Sequence, residues 1–374
     1  MPVIYLDYNA TTPVDPRVLE AMLPYLREQF GNPSSSHAYG QAAHDAVDLA
    51  REQVAGLLGA RPDEIVFTGG GSEADNLALK GIAEARRERG DHIITSEIEH
   101  PAVIQTCRYL ERQGYRVTYL PVDRHGIVDP RDVGRAITSS TILITIMHAN
   151  NETGSIQPVA EIGRIARTHD VLMHTDAAQS VGKIPARVDE LNVDLLTVAG
   201  HKLYAPKGMG ALYVRRGVQL EPLIHGAGHE SGRRAGTENV PYIAGLGEAC
   251  RIAGESLPES AERLCGLRDR LYEALMAGGE QVRLNGHLIE RLPNTLNVSF
   301  VGRDGNALLL AVPEIAASTG SACHAGRTDP SGVLLAMHVR PDIALGAVRF
   351  SLGRWTTEEE IDRAAALIIE RFSR

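Results

Sequence analysis

The sequence predicts an α/β fold: a mostly parallel sheet covered by helices, followed by a smaller α+β part. Two observations carry that prediction. Short uninterrupted apolar runs alternate with helical stretches between about residues 45 and 250, and parallel strands buried on both faces read as such runs. Beyond residue 256 the pattern changes to a long amphipathic stretch and then to period-two alternation over 294–300. The 374 residues suffice for two domains, and a hydrophobic fraction of 43% supplies their cores.

Taken in order, residues 65–68 form a strand and 75–89 a helix that stops at Gly90. A strand over 92–96, a helix over 102–113 and a strand over 116–120 follow. Strands over 142–146 and 171–175 flank a helix over 162–167, and the apolar run 195–199 ends at Gly200. After the punctuation of Ser256-Leu257-Pro258 comes a helix over 261–277, the strand 294–300 and a final helix from Thr357. Thr356 and Thr357 cap that last helix, and Glu358, Glu359 and Glu360 place acid in its first turn. The expected division is a large domain over 15–255 and a small one built from 1–14 and 256–374, with a mobile cysteine-bearing loop at about 320–335.

The formal charge of −9 argues against nucleic-acid or acidic-membrane binding, which need clustered Lys and Arg. No stretch approaches the roughly 20 apolar residues of a membrane span. The first residues carry neither a basic stretch nor a cleavage pattern, so a cytoplasmic location is expected. Cys107, Cys250, Cys265 and Cys323 lie far apart without metal-ligand spacing, which predicts free thiols and no metal site.

Three motifs stand at strand ends. Phe67-Thr68-Gly69-Gly70-Gly71-Ser72-Glu73 is a glycine turn opening a helix, where backbone N–H groups meet anions. It has neither the Gly-Lys-Ser/Thr ending of a nucleotide loop nor dinucleotide-loop spacing. The 171–175 run ends on Asp176, followed by Ala177, Ala178 and Gln179, and a carboxylate there can keep a pyridine nitrogen protonated. The 195–199 run presents His201 and Lys202, and a desolvated lysine near other cations is a usable amine. Phosphate cradle, acid and amine are what pyridoxal phosphate (PLP) requires of a protein. Each also has a plain structural reading: a common turn, a helix cap, a surface lysine.

His100, in Glu97-Ile98-Glu99-His100-Pro101, is placed to stack on a planar ring and move protons, or else to precede a helix starting at Pro101. Cys323 lies among small residues beside His324 and before a polar loop, the composition of an exposed reactive thiol. The other three cysteines fall in helical patterns, as packing residues do. Asn151, in Asn150-Asn151-Glu152-Thr153-Gly154, and Arg349 offer donors for a substrate carboxylate, and Arg349 equally fits a structural ion pair.

Together these stretches resemble the cysteine desulfurases, and their relatives the selenocysteine lyases, within the class V aminotransferase group of fold-type-I PLP enzymes. The likeness also rests on Tyr5-Leu6-Asp7-Tyr8-Asn9-Ala10-Thr11-Thr12, Gly31-Asn32-Pro33-Ser34-Ser35, Gly236-Thr237-Glu238-Asn239 and Gly320-Ser321-Ala322-Cys323, and it runs nearly the length of the chain. It implies a seven-stranded, mostly parallel sheet in the large domain, PLP as cofactor, and conversion of L-cysteine to L-alanine. Sulfur would pass to Cys323 as a persulfide for an acceptor protein, in iron–sulfur cluster biogenesis or a related pathway. Lys202 then matches the Schiff-base lysine and base, His100 the stacking ring and acid/base, Asp176 the ring-nitrogen partner, and Gln179 the phenolate-oxygen partner. Gly71, Ser72 and His201 match phosphate contacts. Thr237 matches one supplied by a second subunit, which implies a homodimer. Asn151 and Arg349 match the clamp on the substrate carboxylate. Ala199 stands where the family often has serine. Tyr8 and His324 lean towards the selenocysteine branch, so L-selenocysteine is the alternative substrate, with a transaminase or β-lyase more distant.

Overall fold

The computed structural model describes residues 3–278, 281–319 and 329–372. After a short strand β1 (Ile4–Tyr5), helices α1 (Pro16–Arg27) and α2 (Ala38–Leu58) lead to the main sheet. Its strands are β2 (Ile65–Thr68), β3 (His92–Ser96), β4 (Arg116–Leu120), β5 (Thr141–Thr145), β6 (Leu172–Asp176), β7 (Leu195–Ala199) and β8 (Gly210–Val214). They lie in the order β2-β8-β7-β6-β5-β3-β4. Strands β3 to β7 pair in parallel, and β8 runs antiparallel to both its neighbours, β7 and β2. The connecting helices include α3 (Gly71–Ala85), α4 (Pro101–Arg112), α5 (Pro130–Ala136) and α6 (Val159–Thr168).

The fold is thus the α/β class that the sequence predicts, and the uninterrupted apolar runs have a direct cause. Successive residues of one strand enter opposite cores. Ile94, Met173, Leu196 and Tyr213 pack with α1, α2, α5, α6 and the helix Val240–Ala277. Ile93, Leu172, Leu195 and Leu212 pack with α3 and α4 on the other face. The sequence pattern does not announce β8, a short run led by glycine.

A second, antiparallel sheet is formed by β9 (Val282–Leu284), β10 (Thr295–Phe300) and β12 (Ala347–Ser351), while β11 (Ile315–Ala316) pairs with β1. Leu296, Val298, Phe300, Val348 and Phe350 share a core with Ile4, Leu6 and the final helix Glu358–Phe372. The period-two alternation of β10 does not mark a solvent face, because every residue of the strand is buried. Its polar side docks on the main-sheet loops: Asn297 Nδ2 donates to Glu152 O at 3.0 Å, and Thr295 Oγ1 accepts from Asn9 Nδ2 at 2.8 Å.

The helix expected over 261–277 begins a full 21 residues earlier and runs from Val240 to Ala277, with Pro258 inside it. Its first half (Ile243, Leu246, Cys250) packs on the main-sheet core, and its second half (Leu264, Leu271, Leu275) on that of the small sheet. It therefore passes without a break through 255/256. Helix α3 sits one turn earlier than the 75–89 expectation, because it starts at the glycine turn itself.

The N-terminal segment is fixed against the small sheet by Tyr8, whose ring lies against Gly353. A Cβ on Gly353 would come within 2.1 Å of that ring. Gly353→Ala is therefore expected to destabilise the fold by about 1–3 kcal/mol through overpacking. A lower denaturant midpoint at unchanged slope would report it, and an unaltered midpoint would show that the Tyr8 ring yields freely.

Candidate active site

The carboxyl ends of β3, β5, β6 and β7 and the start of α3 surround one cleft of about 500 Å³. Open α/β sheets bind ligands at this edge, and the volume suits a cofactor. Its wall includes Gly71, Ser72, His100, Asn151, Asp176, Gln179, His201 and Lys202. Eight of the residues singled out in the sequence, separated by up to 131 positions, are therefore neighbours in space.

The α3 end is built for an anion. Gly70, with φ of +143°, is the N-cap and supplies no side-chain acceptor, so the first N–H groups of α3 are left for a ligand. A Cβ on Gly71 would stand 3.1 Å from the Cβ of Ala199, so a side chain there would press on β7 and glycine lets the turn close on it without a shift. Opposite it, Asp176 ends β6 with Oδ1 accepting the Ala178 N–H at 2.9 Å. Asp75, His100 and Asp176 each bring one polar atom within 4.8 Å of the others. His100 caps α4, its Nδ1 accepting the Ala102 N–H at 3.2 Å. The cap and the cleft roles coexist, because Nε2 is left to carry the ring's proton. Burial lowers the His100 pKa, with Asp176 opposing and Lys202 adding to the effect.

Lys202 follows β7 on a single 3₁₀ turn, and its Nζ donates to Asn9 O at 2.9 Å. Gln179 Nε2 donates to the same carbonyl at 3.0 Å. Lys183, four residues beyond Gln179, donates to Gln179 Oε1 at 3.0 Å and to Asn9 Oδ1 at 3.2 Å. Burial, with the charge of Lys202 nearby, holds Lys183 well below the usual lysine range. His201 is brought to about 4 by burial and by Lys202 and Lys207, and its Nδ1 lies 3.2 Å from Thr11 Oγ1. A neutral imidazole and open N–H groups at one end, a carboxylate at the other and an amine between them fit a phosphorylated pyridine aldehyde.

Two sequence candidates lie apart from this wall, and a third falls outside the described residues. Arg349, on β12, stands behind Asn151: its Nη1 donates to Asn151 O at 3.0 Å and its Nη2 pairs with Asp7 Oδ1 at 2.7 Å, while Nε has no partner. Thr237 is exposed and lines an adjoining hollow that shares Gly69 and Gly208 with the cleft. Cys323, with His324 and most of the loop expected at about 320–335, lies outside the described residues. Sequence reasoning missed Asn9, Lys183 and Asp75. Asp75 carried a signal: it shares the apolar face of α3 with Leu79 and Ile82, where a carboxylate is out of place.

The class-V aminotransferase family model matches residues 4–364. The chain is 51% identical to the cysteine desulfurase IscS of Methanosarcina thermophila, over 98% of this chain and 91% of that protein. It is 50% identical to the IscS of Escherichia coli (strain K12 / DH10B), over 99% and 93%. Among solved structures, a NifS-like protein superposes with a TM-score of 0.93 at 43% identity, covering 99% of both chains. SspA in complex with cysteine superposes with a TM-score of 0.84 at 42% identity, covering 94% of this chain and 99% of that one.

Proposed function

This chain belongs to the class-V aminotransferase family, and from that membership we propose that it is a PLP-dependent cysteine desulfurase converting L-cysteine to L-alanine. The observation that carries the reading is the single cleft in which Lys202, Asp176, His100 and the uncapped start of α3 meet. PLP, when bound, supplies an aldehyde carbon and an electron-withdrawing ring that makes a substrate Cα–H acidic.

The chain's own residues do the rest. Lys202 Nζ anchors the cofactor and then takes the α-proton. Asp176 keeps the ring nitrogen protonated, Gln179 faces the ring oxygen, and Gly71, Ser72 and His201 hold the phosphate. His100 covers the ring and moves a proton at Nε2. Asn151 and Arg349 orient the substrate carboxylate, Arg349 through the Nε that has no partner in the fold. Cys323 takes the sulfur as a persulfide and passes it to an acceptor protein, as in iron–sulfur cluster biogenesis. The exposure of Thr237 beside the cleft supports a homodimer in which it reaches the partner's phosphate site. The separate core that Ile4 and Leu6 share with the small sheet supports dividing the chain into 15–255 and 1–14 with 256–374. Free, widely spaced thiols suit the reducing cytoplasm. Among the described residues no helix is long and apolar enough to cross a membrane.

Incubation with L-cysteine and with L-selenocysteine in parallel tests the reading. Alanine is expected from cysteine with one persulfide formed per active chain in a single turnover. Release of a keto acid without alanine would make the enzyme a transaminase, and turnover of selenocysteine alone would make it a lyase of the selenium branch.

A further inference from the structure

We infer that Asp75 is a positioning residue: a neutral carboxylic acid seated beside Asp176, which leaves Asp176 as the only anion of the pair. This rests on the reading of Asp176 as the ring-nitrogen partner. Asp75 lies in the second turn of α3 and is 2% exposed. Its carboxyl and that of Asp176 come within 4.8 Å. Two buried carboxylates this close do not both ionise unless a cation lies between them.

The surroundings supply no cation on the Asp75 side. His174 Nε2, from β6, stands 3.7 Å from Asp75 Oδ1. That ring is held by two hydroxyls, Thr145 Oγ1 at Nδ1 (2.8 Å) and Thr197 Oγ1 at Nε2 (3.1 Å), and burial pushes it down to about 3, so it is neutral at pH 7. The segment after β3 adds His100, itself lowered by burial, and Glu99, which burial pushes up to about 8. Helix α4 adds Cys107, whose buried thiol is raised to about 12. Strands β2, β7 and β8 present Val66, Leu195, Leu212 and Val214 to α3.

The two acids are not equivalent. Both line the cleft, but Asp176 accepts a backbone N–H, that of Ala178 at 2.9 Å. Asp75 Oδ1 accepts no hydrogen bond. The proton therefore resides on Asp75, where burial and then the Asp176 charge raise its pKa well above the usual carboxylate range against the opposing hydrogen bond of Thr197. Glu99 is held by other donors, its Oε1 accepting from Ser96 Oγ at 2.6 Å and from Met147 N at 3.0 Å, and its charge adds to the rise at Asp75. The consequence is a site whose negative charge is concentrated on the Asp176 oxygens, instead of being spread over two acids.

The test compares wild type, Asp75→Asn and Asp75→Ala. Infrared spectra of cofactor-free protein with 13C-labelled aspartate should show a protonated aspartic acid band at pH 7 that Asp75→Asn loses. The same variant should gain thermal stability relative to wild type as pH rises from 4 to 8. The sign follows because wild type must keep a proton in the fold that its unfolded chain releases near pH 4. PLP retention in dialysis at pH 7 should be unchanged in Asp75→Asn, which mimics the neutral acid, and weakened several-fold in Asp75→Ala. Absence of the band, its survival in Asp75→Asn, or parallel stability profiles would overturn the inference. Should Asp75→Asn fail to fold, the band is read in an Asp194→Asn background, which removes the half-buried Asp194, the other aspartate with a raised pKa; its presence there supports the inference and its absence refutes it. Failure of alanine release with the band intact would fault the proposed reaction and leave the proton on Asp75.

Discussion

A Lys202→Ala protein is expected to purify without visible colour and to release no alanine from cysteine. Two tasks fall on that one amine. In the proposed mechanism it anchors the cofactor covalently and serves as the base that takes the substrate α-proton. Its place is set by the chain: β7 ends at Ala199, one 3₁₀ turn carries the backbone through Gly200 to Lys202, and Asn9 O takes the amine at 2.9 Å. Neither task has a substitute of equal reach. Lys183 also lies close to Asn9, but its bonds to Gln179 Oε1 and Asn9 Oδ1 hold it in the floor of the site. Loss of a positioned base alone costs about 10²–10⁴-fold, and loss of the covalent anchor adds to it. The fold should survive, since the side chain lines the cleft and leaves the apolar cores untouched. Mass spectrometry after borohydride reduction supplies the direct readout: wild type gains one cofactor on the peptide containing Lys202, and the variant gains none. A Lys202→Ala protein that still turns cysteine into alanine would remove the basis of the mechanism.

Much of this site could be read before the fold was known, because its parts are local. A glycine turn before a helix, an acid after one apolar run and a lysine after another are each contained in fewer than ten residues, and each landed at the same sheet edge. What escaped reading depends on long-range partners. Asn9 acquires meaning only from Lys202 and Gln179, 193 and 170 residues away. Asp75 becomes an acid of unusual state through its burial in the fold and through Asp176, which β6 places beside it. The same holds for the fold. Strands β2 to β7 announce themselves by composition, whereas β8 is a glycine-led run whose strand character comes from filling the gap between β2 and β7. Pro258 read as a boundary because proline removes a helical donor. In the fold, packing of both halves of Val240–Ala277 on two different cores outweighs that single lost bond. The alternation in β10 was real, but its polar face meets a polar interface and not water.

Cys323→Ser should leave PLP binding and colour at wild-type level while abolishing persulfide formation, because no other thiol in the chain is suited to replace it. Cys107 and Cys250 are buried, and burial pushes each thiol up to about 12, which removes the thiolate at neutral pH. Cys265 is also raised, chiefly by burial, and is tied between Arg268 Nη2, at 3.0 Å, and Asp269. Serine cannot substitute chemically: its hydroxyl stays protonated at neutral pH and forms no stable bond to the transferred sulfur. Cysteine carrying radiolabelled sulfur separates the outcomes, with label on the wild-type chain and none on Cys323→Ser, and with alanine release from L-cysteine falling in parallel. Label that still loads onto the variant would mean that another thiol carries the sulfur. Cys265 would then be the first to examine, since it is only partly buried and has an arginine beside it that could favour the thiolate once Asp269 moved away.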